Sequence, residues 1–248
     1  MMLLAWRWFI SIVFVVQNAV VMLLLGIVFL PWAVVSSRGA RMACKAYARW
    51  ALWTARVLIG LKTEVRGEVP TTEVMIAAKH QSFLDILIIF DAVPVPKFIM
   101  KRELLWTPII GLYAYRLGCV PVDRGRRGLA IKKMVADVRS GAAIPGQLVI
   151  YSQGTRVPPG THKPYKMGTY ALYSQLGQVC VPAATNAGLF WPKGTMLRTP
   201  GRAVVEFLDP IAPGIEQKAF MAQLETKVEA CSNALLAEGG FDAEDRNA

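Results

Sequence analysis

The sequence predicts an α/β protein with a mixed central sheet flanked by helices, preceded by an N-terminal pair of membrane-associated helices. Three observations carry this. Residues 8–35 hold no charged side chain. Residues 38–62, RGARMACKAYARWALWTARVLIGLK, interleave basic side chains with Trp50, Leu52, Trp53, Val57 and Leu58. After Lys62, short apolar runs bounded by turn residues alternate with stretches of helical period, the pattern of strands and helices in succession.

The uncharged stretch as far as Leu30 would rise about 34 Å as a helix, enough to cross a hydrocarbon core of about 30 Å. A signal peptide needs an apolar region of only about 7–15 residues, so this stretch is too long for one. Gln17 and Asn18 in its middle are amides that want partners in lipid, and a second helix could supply them. That second helix has basic residues at 38, 41, 45, 49 and 56. It suits the headgroup layer of an anionic membrane, or else packs on the domain with its basic face solvated. Arg7 precedes the apolar run and at least four basic residues follow it, which places the C-terminal bulk on the cytoplasmic face of the cell (inner) membrane. Whether the anchor spans or re-enters is open at this level.

Strands are predicted over 63–66, 74–78, 97–100, 119–122, 148–151, 179–183 and 203–208. Helices are predicted over 84–90, 104–117, 127–140, 168–176 and 216–237. The chain divides into an anchor (1–62), a sheet-bearing domain (63–237) and a polar, acidic tail (238–248) expected to fray.

Composition narrows the function. The 248 residues carry 28 Lys+Arg against 17 Asp+Glu, and 54% are apolar with 18% charged. That excludes disorder, collagen-like repeats and acidic solvating tails as the main content. A pI of 9.7 would suit a nucleic-acid binder. The positive charge is concentrated beside the apolar stretch, however, and this favours lipid phosphate over nucleic acid. Cys44, Cys119, Cys180 and Cys231 form no close pair, so neither a zinc knuckle nor a Cys-x-x-Cys site is available; reduced, packed thiols are expected.

The histidines are His80 and His162. His162, in VPPGTHKPYK, has no acid nearby in sequence and reads as a surface-loop residue. His80 follows the apolar run VMIAAK and opens HQSFLD, a strand-to-helix turn with Asp85 five positions on. Such a turn brings an imidazole and a carboxylate together, and the acid can fix the tautomer of a general base. No Gly-x-Ser-x-Gly elbow exists and no cysteine accompanies a histidine, so a covalent nucleophile lacks support. A His/Asp dyad acting on a substrate hydroxyl remains. Two arginine-bearing turns follow apolar strands. CVPVDRGRRG holds Arg124, Arg126 and Arg127, and LVIYSQGTR holds Gly154, Thr155 and Arg156. Guanidinium forks and backbone N–H groups beside a glycine suit a phosphate monoester. Arg126 and Arg127 also read as a solvated basic loop. Arg124 and Arg156 lie just past strand ends, where α/β sites form.

The ordered set HQSFLD, KRELLWTPIIGLYAYRLGCVPVDRGRR, YSQGTR and VCVPAATNAG resembles the four blocks of the glycerolipid acyltransferases, specifically the 1-acyl-glycerol-3-phosphate acyltransferase group, across residues 60–210. The resemblance implies a catalytic dyad of His80 and Asp85. It further implies that Lys101 and Arg124 of the second block, with Gln153, Gly154, Thr155 and Arg156 of the third, bind the glycerol phosphate. Val181 and Pro182 of the fourth block take a role nearer structure than chemistry. The family's third block usually begins Phe-Pro-Glu, where this chain has Tyr151, Ser152 and Gln153, and Pro121 stands where an aromatic is common. The implied reaction moves a fatty acyl group from acyl-CoA or acyl carrier protein to a lysophospholipid in the bilayer, without metal or redox cofactor. Another lysolipid acceptor, such as a lyso-aminolipid, and a non-catalytic membrane-bound lipid-binding protein are the alternatives.

Overall fold

A computed structural model describes residues 2–122, 136 and 145–242. Arg124, Arg126, Arg127 and, but for Ala136, the helix expected over 127–140 fall outside those residues. The apolar N-terminus forms α1 (Met2–Val28) and a short α2 (Leu30–Val35) with Pro31 in its first turn. Proline is tolerated there because the first-turn N–H groups have no helical partner. Ser36 caps α3 (Ser37–Thr54) by accepting a hydrogen bond from the Arg38 N–H, and a π turn (Ala55–Ile59) ends at Gly60.

A seven-stranded sheet follows: β1 (Leu61–Arg66), β2 (Met75–Ala78), β3 (Pro96–Lys101), β4 (Val120–Val122), β5 (Gln147–Tyr151), β6 (Cys180–Thr185) and β7 (Gly201–Phe207). Their spatial order is β1-β7-β6-β2-β5-β3-β4. From β6 to β4 the strands are parallel, β7 runs antiparallel to β6, and β1 pairs parallel with β7. The sheet is therefore mixed. All four residues of β2 are buried, as a strand covered on both faces requires. Ile76 and Ala78 enter one core with Phe14, Leu84, Ile88 and Val149, while Met75 and Ala77 enter the other with Leu172, Phe220 and Leu224. Further α-helices among the described residues are α4 (Leu84–Ala92), α5 (Ile110–Arg116), α6 (Gly168–Leu176) and α7 (Gln217–Glu238).

Several expectations change. The helix anticipated over 104–117 is two pieces, a 3-10 turn (Arg102–Trp106) and α5. Pro108 pushes Thr107 into an extended conformation (ψ 122°), so one continuous helix is blocked. β1 opens at Leu61, two residues inside the segment assigned to the anchor. Nor does the chain fray from Glu238. That side chain makes a two-pronged pair with Arg66 (2.7 and 2.6 Å), and the Phe241 N–H donates to Leu236 O.

The α3 helix packs on the protein through small residues: Gly39, Ala40, Ala43, Ala48 and Ala51 are buried, which lets backbones approach closely. Its basic residues are partly used by the domain. Lys45 Nζ donates to the carbonyls of Asp91 and Val93, and Arg49 pairs with Asp91 at 2.8 Å, so cations sit at the negative C-terminal end of α4. Gln17 does find a second helix: it donates to Thr54 Oγ1 and accepts from Trp50 Nε1 (2.6 Å).

Candidate active site

Because β2 to β6 share a direction, their carboxyl ends form one rim, the usual place for a ligand in an open α/β sheet. His80 stands two residues past β2, and Asp85 lies in the first turn of α4. The turn between them is tightly tied. Ser82 Oγ accepts from the Leu84 N–H and donates to Trp191 O (2.6 Å). The Asp85 carboxylate is fully buried. Its Oδ2 accepts from the Gln81 and Ser82 N–H groups at 2.8 and 2.7 Å, and Oδ1 lies 2.8 Å from His80 Nδ1. A carboxylate only accepts, so the proton belongs on Nδ1, which leaves the lone pair of Nε2 free. The His80 side chain is 13% exposed, open enough to meet a substrate.

The ring is held from below by Tyr151, whose centroid lies 3.9 Å away at 20°. Burial first, then the nearby Asp85 carboxylate, push the Tyr151 phenol well above its ordinary value, so it stays neutral. Tyr151 ends β5 and begins the turn Tyr-Ser-Gln-Gly-Thr-Arg. Gly154 takes φ +69°, which favours glycine, and the Val157 N–H donates to His80 O (2.8 Å). That bond brings the Gly154–Thr155–Arg156 turn beside the dyad, with Arg156 exposed. Gln153 is buried and donates to Lys163 O, while its Oε1 makes no hydrogen bond within the protein. Gln81 Nε2 and Ser152 Oγ are likewise buried and unpaired, so such atoms gather around this turn pair. Lys101 ends β3, two strands across from β2, about 10 Å along the sheet, and is exposed. Val181 and Pro182 sit in β6 against Ile76 and Ala77, and Pro121 lies in edge strand β4, a position that suits a residue without an N–H.

Distant partners are absent from any sequence motif. Lys79, 2% exposed and next to His80, is ion-paired to Glu229 of α7, whose other oxygen accepts from Tyr165 Oη (2.9 Å). His162 lies in an exposed surface loop, as expected, and meets Glu225 of α7, distant in sequence, at 2.6 Å. The loop carrying Gly154–Arg156 is thus fastened to α7 at two points. Glu225 and Glu229 are four apart on one helix face, the single local hint of a paired role.

The thiols are withdrawn from chemistry. Burial pushes Cys44 and Cys180 up to about 12, and Cys119 and Cys231 up to about 11. An unfolded thiol ionises near 8.5, so between about pH 9 and 11 the unfolded chain loses protons that the folded chain keeps. Stability should therefore fall as pH rises through that window. Thermal unfolding followed from pH 8 to above pH 10 checks this, and a midpoint that holds steady would contradict it.

The fold thus places a His/Asp pair at the carboxyl rim of a mixed sheet, beside a glycine–arginine turn, an arrangement of the kind able to take a proton from a hydroxyl. Residues 62–186 match the Acyltransferase family. The 1-acyl-sn-glycerol-3-phosphate acyltransferase of Pseudomonas aeruginosa is 29% identical over 200 residues, covering 80% of this chain and 78% of that protein. The 1-acyl-sn-glycerol-3-phosphate acyltransferase alpha of Mus musculus is 31% identical over 198 residues, covering 77% and 68%. The crystal structure of the 1-acyl-sn-glycerophosphate (LPA) acyltransferase PlsC from Thermotoga maritima superposes with a TM-score of 0.77 at 18% identity, covering 92% of this chain and 97% of that one. The chain belongs to the acyltransferase family.

Proposed function

We propose that the protein transfers a fatty acyl group from a thioester, on coenzyme A or an acyl carrier protein, to the free hydroxyl of 1-acyl-glycerol-3-phosphate, giving phosphatidic acid. The observation that carries this reading is the His80–Asp85 pair beside the Gly154–Arg156 turn. His80 Nε2 takes the acceptor proton as the hydroxyl oxygen attacks the thioester carbonyl, and Asp85 holds the imidazolium through Nδ1–H. The C–S bond breaks, and the departing thiolate takes the proton from Nε2. Lys101, Arg156 and the N–H groups beside Gly154 hold the acceptor phosphate, with Arg124 assigned the same role from its motif. Gln153 orients that loop without adding charge. The names of the relatives support the acceptor. The test incubates the purified chain with labelled acyl-CoA or acyl carrier protein and a panel of lysolipids. Phosphatidic acid as the main product is the expected result, and a product from another lysolipid alone would overturn the assignment.

The protein is membrane-associated, and α1 is long and apolar enough to cross a bilayer. We further propose that α1 lies along one leaflet, on the cytoplasmic face. The domain touches α1 over most of its length: Ser11 accepts from the Arg198 N–H, Phe14 packs edge-on against Trp191 (5.2 Å), Gln17 bonds α3, and Gly26 O accepts from Tyr113 Oη. A lone span would carry the buried Arg198 into hydrocarbon, where a charge is costly. With the four native cysteines replaced and single cysteines placed at Leu3 and at the exposed Arg38, a membrane-impermeant maleimide should label both from the cytoplasmic side only. Labelling of Leu3→Cys from the opposite side alone would establish a span.

A further inference from the structure

Between β3 and α5 the chain makes an elbow whose backbone is strained. Ile109 has φ +66° and ψ −59°, a γ-turn closed by the Ile110 N–H donating to Pro108 O at 2.7 Å, expensive for a β-branched residue and kept only where surroundings enforce it. The enforcement comes from the junction of α1 and α2. A Cβ on Gly26 would lie 2.7 Å from Ile109 Cγ2, Tyr113 Oη donates to Gly26 O at 2.9 Å, and Arg116 Nε donates to Ala33 O at 2.9 Å. The clamp holds large apolar side chains outward rather than inward. Trp106 is 81% exposed and Tyr115 71%, with Leu104 and Ile110 also exposed. Lys101 and Arg102 stand exposed at the base, with Glu103 the acid among them.

We propose that this elbow is a second membrane contact, with the rings of Trp106 and Tyr115 seated in the headgroup layer of an anionic bilayer. Continuity with the apolar anchor identifies the occupant. Val28, Trp32 and Val35 are exposed on the two helices that clamp the elbow, so the exposed apolar side chains of the anchor and those of the elbow belong to one packed unit. Tryptophan and tyrosine suit that layer, with an apolar body and a polar tip, and the adjacent cations favour anionic lipid. Lys101 joins the elbow to the end of β3, so the contact sets the height of the active-site rim above the lipid. The inference rests on membrane association, and its kinetic arm on the acyl-transfer reading.

The full chain is bound to vesicles of phosphatidylglycerol and brominated phosphatidylcholine, and tryptophan emission is compared with that of Trp106→Phe. The difference spectrum, which is the Trp106 signal, should be blue-shifted and quenched more by bromine near the headgroup than by bromine deep in the chains. A difference signal quenched by aqueous iodide and untouched by either bromolipid overturns the proposal. This arm needs no catalysis, so it decides even where the acceptor assignment fails. In the second arm, Trp106→Ser with Tyr115→Ser is assayed on vesicle-embedded lysophosphatidic acid and on a short-chain acceptor dispersed as monomers. The apparent KM in surface mole fraction should rise about fivefold on vesicles while the dispersed acceptor is unaffected. Equal loss on both, or loss on neither, contradicts a membrane role.

Discussion

His80→Ala is expected to lower kcat for acyl transfer by 10²–10⁴-fold, the usual contribution of a positioned general base, while KM for the acceptor stays near its original value. The reasoning is geometric. Nδ1 is committed to Asp85 at 2.8 Å and the ring is stacked on Tyr151, so Nε2 is the basic atom presented to a substrate. The fold should survive, because the side chain is partly exposed and Asp85 keeps two backbone N–H donors. Asp85→Asn makes a companion. Its amide can donate to Nδ1 and so place the proton on Nε2, the wrong nitrogen for a base, with a loss of similar order. Circular dichroism and vesicle binding like those of the parent chain would separate a chemical from a structural effect. If His80→Ala kept near-full turnover, the dyad would have no chemical role.

Glu229→Ala should be the most damaging substitution far from the dyad. It leaves the Lys79 ammonium, 2% exposed, without its partner and strips Tyr165 of an acceptor. Removing one member of a buried pair typically destabilises by about 3–5 kcal/mol, a large share of the roughly 5–15 kcal/mol that holds a domain folded. Adding Lys79→Met and changing Glu229 to Gln instead of Ala removes the buried charge and restores an acceptor for Tyr165, so the double variant should recover most of the loss. Urea midpoints in detergent for Glu229→Ala, Glu229→Gln, Lys79→Met and the Lys79→Met/Glu229→Gln double make the comparison, the last three with the parent chain forming the cycle. A cost under about 1 kcal/mol for Glu229→Ala would show that water reaches Lys79.

Much of the site was legible locally. His80 and Asp85 are separated by one turn, and the apolar run before them and the helical period after them specify where that turn falls. The central strands β2 and β6 lie where apolar runs are bounded by turn residues, because burial on both faces leaves little else such runs can do, whereas edge strand β1, Leu61–Arg66, carries three charged residues and is mostly open to solvent. The Tyr151–Arg156 turn was readable for the same reason. The α3 helix shows where local reading stops. Its pattern of Trp and basic residues suggested a membrane face, yet the alanines at 40, 43, 48 and 51 choose its packing surface. Alanine counts equally as exposed or buried in a periodicity.

The sequence by itself determined the succession of strands along the chain, the apolar anchor and the pairing of His80 with Asp85, since each is written in residues a few positions apart. Only the tertiary structure decided the strand order, the reversal of β7, and the partners of Lys79 and His162, which lie 150 and 63 residues away. A side chain's own neighbours set its backbone preferences. Its electrostatic partner is whichever group the closed chain brings within a few ångströms, and no local period records that.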